Sequence, residues 1–451
     1  MKNVRRIKGG RLYRLLLGLC LCGLVFAYGV AVGEYKIFPH SLLRAGFNGL
    51  IDLRDNWKSY AGIRPTKFLV PSTGGAGVTI HDVARAYAGL THVAGLFEGH
   101  ASIQLMDMDG KVVHRWIPDF DEVWRGIEAD PSLMVGRPMN EWDNEILGGA
   151  ILPNGDAIMN YGSVLVKIDR CNNILWKRMY GTHHTVEFAE DGTFWIAAQG
   201  IHDVANPAFP AVSPPYVEDI VMRVSTDGEI LETISLPDLL VKNGMLGNLF
   251  PKGMIHNPKP GYNYDLTHLN DIEELTTAMA GRFPMFAAGD LLISMRDVNL
   301  VLVFDPVTQK VKWSQTGPWV RQHDPDFLPD GLISVFNNNN DGTHEGRHWG
   351  GSNIMLIDPS THAASVVIPG SGDFLFYTYE AGSHQWLENG NVLVTESTGG
   401  RILEIAPDGT VVWQYDSVYD PETALRIQHA NRLPEGYFNF ESWACDQVSG
   451  S

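Results

Sequence analysis

Ile405-Ala406-Pro407-Asp408-Gly409-Thr410-Val411-Val412-Trp413 reads as a strand end, a tight turn and a second strand closing on tryptophan. The Asp-Gly pair is the turn former, because both residues tolerate the left-handed backbone that a short reversal needs. The unit recurs. Met106-Asp107-Met108-Asp109-Gly110 leads to Trp116, Ile168-Asp169-Arg170-Cys171-Asn172-Asn173 to Trp176, and Phe304-Asp305-Pro306 to Trp313. Val224-Ser225-Thr226-Asp227-Gly228 and Ile357-Asp358-Pro359 complete the set. Anchored on Asp109, Asp169, Asp227, Asp305, Asp358 and Asp408, the spacings are 60, 58, 78, 53 and 50 residues.

Between anchors lie further strand pairs, such as Ala150-Ile151-Leu152-Pro153-Asn154-Gly155-Asp156-Ala157-Ile158-Met159. Runs like Leu291-Leu292-Ile293-Ser294-Met295 and Asn391-Val392-Leu393-Val394-Thr395 are buried-strand patterns. Four short strands in about 50–60 residues is the period of a β-propeller blade. The chain is therefore expected to be all-β, a six-bladed propeller, with the tryptophans packed between blades. The 78-residue spacing holds a Gly/Pro/Asn-rich insertion from Val241 to Asp265, and Asn337–Asn340 opens a second loop.

A second pattern rides on the repeat. His184, His323, His384 and His429 each stand six to eight residues before a turn-closing Gly, and His268 opens a stretched version ending at Gly289-Asp290. If the histidines share one register, radial symmetry brings them to the axis. Neutral imidazoles there suit nucleophilic or acid–base work, since an unperturbed pKa of about 6.5 leaves them mostly unprotonated at pH 7. The same convergence also suits a His-ligated metal centre with oxygenase or hydrolase chemistry, or a non-catalytic envelope scaffold.

Among 451 residues, 44% are apolar and 10% aromatic, with 47 Gly and 12 Trp, which is the composition of a large folded β protein. The net charge of −18 excludes a nucleic-acid surface, which needs a basic patch. The N-terminus is separate: six cations from Lys2 to Arg14 precede an apolar run, Leu15 to Gly33. That length matches a bilayer span of about 20 residues, and the basic flank orients it with the remainder outside the cytoplasm. The expected organisation is a cytoplasmic flank (1–14), a transmembrane signal-anchor (15–33), a stalk with lead-in strands (34–95) and the propeller (96–445). The location is then the inner membrane, single-pass, with the large domain in the periplasm. A cleaved signal peptide is the alternative. Only Cys171 and Cys445 lie outside the apolar run, and an oxidising compartment permits one disulfide between them.

Asp265-Leu266-Thr267-His268-Leu269-Asn270-Asp271-Ile272-Glu273, Leu292-Ile293-Ser294-Met295-Arg296-Asp297-Val298-Asn299 and Gln322-His323-Asp324 resemble segments of the bacterial arylsulfotransferase family. So does Asn389-Gly390-Asn391-Val392-Leu393-Val394 after His384, and the likeness runs over roughly residues 95–440. The resemblance implies a six-bladed propeller that moves a sulfuryl group from a phenolic sulfate donor to a phenolic acceptor without a nucleotide sulfate. It implies a transient sulfohistidine on His384, with His268 and His323 handling protons and phenolate charge and Arg347 clamping the sulfuryl oxygens. Arg296 is the substitute cation if Arg347 lies on a solvated loop. Arg296 and His184 are expected to bind substrate, although His184, like His429, falls outside the family's set. Neither cofactor nor metal is implied.

Overall fold

The computed structural model describes residues 9–35, 37–128, 130–133, 136–210, 212, 214–249, 264–368 and 376–445. Residues 250–263 of the expected insertion and residues 1–8 of the basic flank lie outside them.

Six antiparallel sheets of four main strands each form the blades of a propeller. Running from the axis outward, blade 2 comprises Ile146–Ile151, Ala157–Tyr161, Val164–Ile168 and Ile174–Met179. Blades 3, 4 and 5 repeat the order, with innermost strands Thr182–Phe188, Leu269–Glu274 and His323–Phe327. Blade 6 runs outward from Ser383–Trp386 and gains a fifth strand, Gly77–His81, on its rim. Blade 1 joins the two ends of the domain: its innermost strand, Ile427–Leu433, pairs with Leu90–Phe97. Strands that start ahead of residue 96 therefore belong to propeller sheets, Leu90–Phe97 in blade 1 and Gly77–His81 on blade 6.

Second strands such as Ala157–Tyr161 and Leu291–Met295 are buried along their whole length, because they are covered on both faces by neighbouring blades. The tryptophans do more than fill space. Trp116 Nε1 donates to Gly155 O at 2.8 Å, Trp176 Nε1 to Thr226 O at 2.9 Å and Trp413 Nε1 to Met108 O at 2.8 Å. Each bond runs from one blade's outer strand to a turn of the next, giving the buried indole N–H the partner it needs.

Ahead of the propeller lie two helices. Helix α1 (Gly9–Tyr35) contains the 24-residue apolar stretch Leu12–Tyr35, long enough for a bilayer and exposed along its sides. It is compatible with a single-pass anchor or a signal sequence. Helix α2 (His40–Tyr60) occupies much of the segment read from sequence as stalk and strands. Its Leu43, Phe47, Leu50 and Trp57 recur at helical spacing and are exposed. The disulfide is present: Cys171, in the outer turn of blade 2, is bonded to Cys445, with Cα atoms 5.7 Å apart.

Candidate active site

The innermost strands of all six blades line an axial cavity of about 500 Å³. Five of the six carry a register shift against their neighbours, between Ile146/Gly149, Thr182/Val186, Leu269/Asp271, His323/Pro325 and Ile427/His429. A bulge breaks the alternation of a strand, so side chains on both sides of it can face one way. His184 and Asp324 sit at these irregularities and His268 just ahead of one, with φ of 53°, 49° and 56°, a left-handed backbone uncommon for residues with a Cβ.

The inner-strand turns start at Leu152, Ala189, Leu275, Leu328 and Leu387, each accepting from the turn glycine, with Leu433 the equivalent in blade 1. Counting back from these residues, the channel resolves into layers. Two residues before the turn stand Ala150, Glu187, Glu273, Asp326, Gln385 and Asn431. Four before stand Gly148, Thr185, Asp271, Asp324, Ser383 and His429, and five before come Leu147, His184, Asn270, His323, Gly382 and Gln428. The histidines thus do not share one register. His184 and His323 do; His429 is one residue nearer the turn, His268 two residues farther from it, and His384 three before its turn.

That difference separates the sequence candidates. His184, His268 and His323 come together at one end of the channel. The rings of His184 and His268 meet edge to face at 5.0 Å, and His183 Nδ1 lies 2.7 Å from His184 Nδ1. Burial first, then His183, His268, His323 and Arg296, hold His184 well below the ordinary imidazole value. Burial and then Arg296 do the same to His323. Both rings are neutral at pH 7.

The tautomer of His323 follows from its partners. Its Nδ1 faces two acceptors, Asn338 Oδ1 at 2.6 Å and Arg321 O at 3.2 Å, so Nδ1 carries the proton. The Asn338 amide is fixed by its own donations to Thr378 O at 2.9 Å and Ala381 O at 2.7 Å. His323 Nε2 is left with a bare lone pair and no protein partner. His268 is built likewise: Nδ1 is paired with Asp265, whose other oxygen accepts the His268 backbone N–H at 2.9 Å, and Nε2 has no partner.

Arg296 reaches this cluster, its Nε on Asp297 Oδ1 at 2.9 Å, with a side chain only 14% exposed. Arg321 joins the same carboxylate at 3.1 Å. Burial, then the adjacent Arg296, push the Arg321 guanidinium below its ordinary value. Arg347 is elsewhere. Its side chain is 78% exposed on the loop after Asn340, paired with Glu345 at 3.1 Å. The solvated-loop condition is met, and Arg296 is the cation beside the imidazoles.

His384 is also set apart. Three residues before its turn, in the one inner strand without a register shift, strand alternation turns its ring toward blade 5. Its Nδ1 lies 3.0 Å from Asp324 Oδ2 and its Nε2 2.8 Å from Ser334 Oγ, and the side chain is 0% exposed. Both nitrogens are occupied.

The carboxylates were not singled out from the sequence. Glu187, Asp271, Glu273, Asp324 and Asp326 face one another from blades 3, 4 and 5, and among the described residues no Lys or Arg lines the cavity. Burial and mutual repulsion raise Asp271, Glu273 and Asp326 well above the usual carboxylate range, and push Glu187 up to about 8. The signal was present as His-x-x-Asp/Glu in three successive blades: His184–Glu187, His268–Asp271 and His323–Asp326.

The axis of this propeller gathers imidazoles beside arginine, and the sequence places the chain in a family. Residues 147–418 match the arylsulfotransferase (ASST) family, to which the chain belongs. That membership makes it sulfotransferase-like, with a sulfate donor and an acceptor as its general substrates. No curated protein sequence matches it. Among solved structures it is similar to a Bacteroides caccae protein of unknown function, at 15% identity over 75% of this chain and 97% of that one, with a TM-score of 0.46. It is also similar to TolB from Acinetobacter baumannii, at 12% identity over 84% and 70%, with a TM-score of 0.41.

Proposed function

We propose that this protein moves a sulfuryl group from a phenolic sulfate ester to a phenolic acceptor on the periplasmic side of the membrane, through a sulfohistidine and without a nucleotide donor. The observation that carries the reading is the bare, buried Nε2 of His323, with Nδ1–H locked on Asn338 and Arg296 alongside. This favours His323 over His384 as the residue sulfated, because a nucleophile needs a free lone pair and both His384 nitrogens are partnered.

The donor approaches from the face where Arg296, Arg321 and His268 are partly exposed, avoiding the acidic layers. His323 Nε2 attacks sulfur as the S–O(aryl) bond breaks, and the aryl oxygen leaves with the electron pair. His268, paired with Asp265, gives that oxygen a proton and later takes one from the incoming phenol. Proton transfer of this kind is worth about 10²–10⁴-fold. Arg296 holds the sulfuryl oxygens, with Arg321 behind it on Asp297, where charge-assisted donors suit a spread anion. His184 closes the pocket as a neutral donor.

The test is direct. Detergent-solubilised full-length protein is incubated with 4-nitrophenyl sulfate and phenol, following nitrophenolate release and phenyl sulfate by mass spectrometry. Acid-labile sulfate on the peptide containing His323, lost in His323→Ala, is the expected result. An adduct on His384 overturns the choice of nucleophile; transfer with no histidine adduct overturns the covalent route; no transfer at all overturns the reaction.

A further inference from the structure

Five carboxylates around one enclosed cavity, with no Lys or Arg lining it among the described residues, is a charge distribution that water alone does not balance. Water satisfies hydrogen bonds, but removing several like charges from bulk solvent remains costly unless the groups take up protons or a cation accompanies them. The mutual geometry of three side chains in this cavity is that of a ligand set. One donor atom from each of Asp324, Asp326 and His384 lies within 4.8 Å of the other two. His384 Nε2 and Asp326 Oδ2 are 3.4 Å apart, beyond the usual hydrogen-bond range. Two donors each held at about 2.1 Å by one tetrahedral cation are separated by about 3.4 Å.

A second observation points to an occupant independently of the acids. Asn270 and Gln428 are among the residues around the same cavity, are more than nine-tenths buried, and their Oδ1 and Oε1 have no partner in the protein. His92, also lining it and buried, has no partner on either ring nitrogen. Polar atoms enclosed in this way are normally satisfied.

We propose that Asp324, Asp326 and His384 bind a first-row divalent cation in the axial channel, with Asp271 facing it from blade 4. Two carboxylates and an imidazole suit Zn²⁺ or Mn²⁺ better than Ca²⁺, which takes oxygen ligands throughout. To admit the ion, His384 exchanges the Ser334 contact at Nε2 for the metal, and Asp324, still held by the His384 backbone N–H, gives up its contact with Nδ1 to turn toward the ion. The bound charge offsets the acidic layers close to where an anionic donor is handled, so the site complements the sulfuryl-transfer reading but does not depend on it.

The experiment uses full-length protein in detergent, stripped with EDTA, then titrated calorimetrically with Zn²⁺, Mn²⁺ or Ca²⁺ alone and assayed for metal after gel filtration. One Zn²⁺ or Mn²⁺ per chain is expected, with affinity reduced at least 100-fold in Asp324→Asn/Asp326→Asn and 10–100-fold in His384→Ala. A visible spectrum of the Co²⁺-loaded wild type reports nitrogen ligation even if a variant fails to fold. Absence of binding by wild type, equal binding by the double variant, or uptake of Ca²⁺ unaffected by His384→Ala overturns the proposal. His323→Ala that loses transfer yet still takes up one ion keeps the two readings apart.

Discussion

At the scale of single residues, the chemistry rests on which nitrogen of His323 holds the proton, and Asn338 decides that. Removing the acceptor in Asn338→Ala lets Nδ1 and Nε2 share the proton and lets the ring turn, so a smaller fraction presents its lone pair. We expect kcat/KM for 4-nitrophenyl sulfate to fall about 10–100-fold with little change in overall fold, the range seen when the group orienting a reactive imidazole is lost. Steady-state kinetics with circular dichroism checks it, and unchanged kcat/KM removes Asn338 from the mechanism. Arg296→Lys should cost about 10²–10³-fold, because lysine keeps the charge but not the fork of donors. The histidines were visible in the sequence because a titratable residue recurring beside a turn stands out from apolar strands. Asn338 was not, since Asn337–Asn340 reads locally as loop. Arg296 was legible only as a substitute, because choosing between it and Arg347 requires knowing which loop faces solvent.

At the scale of the element, inner-strand bulges explain both what the repeat revealed and where it misled. The turn-and-tryptophan period marks blades because Asx turns and indole N–H bonds are local or nearest-neighbour devices. A bulge adds a residue without changing composition, so spacing to the next glycine could not show that the His384 ring turns toward blade 5, with both nitrogens partnered, while His184 and His323 gather at one end of the channel. The acidic layers that these strands build make a pH prediction. Burial, with Glu274 and Asp324 adding repulsion, places Glu187 at about 8, against an ordinary 4.5. A carboxyl whose folded pKa is raised binds more protons folded than unfolded, so stability falls as pH climbs from about 4.5 to about 8 and this loss is complete above that. In EDTA, urea midpoints for wild type should decline between pH 5 and pH 8, and Glu187→Gln should flatten part of the slope. Asp271, Glu273 and Asp326, raised for the same reasons, supply the rest. Parallel slopes for the two proteins would show Glu187 titrating normally.

For the whole molecule, the decisive feature is a ring that must be closed. Residues 337 apart in sequence meet in blade 1, where Ala430 pairs with Val93, and the tail beyond that strand is fastened a second time. Tyr437 Oη donates to Ile151 O, Trp443 stacks on His114 with ring centroids 4.2 Å apart, and Cys445 bonds Cys171 across a separation of 274 residues. Composition alone could limit the bonding cysteines to this pair; that they meet depends on the ring closing, which no local pattern encodes. Ladder and disulfide act in series on the same end of the chain, so cutting the covalent link should loosen the tail without opening the inner blades. A cross-link over so long a loop is worth about 2–5 kcal/mol, mainly by restricting the unfolded chain. Cys171→Ser/Cys445→Ser should therefore unfold at lower urea while transferring sulfuryl groups at close to the wild-type rate under native conditions, since neither cysteine lines the channel. Dithiothreitol should lower the wild-type midpoint to that of the variant and leave the variant unchanged. If reduction abolishes transfer while the propeller stays folded, the tail carrying Tyr437 at the channel wall is part of the working site, and closure and chemistry are coupled.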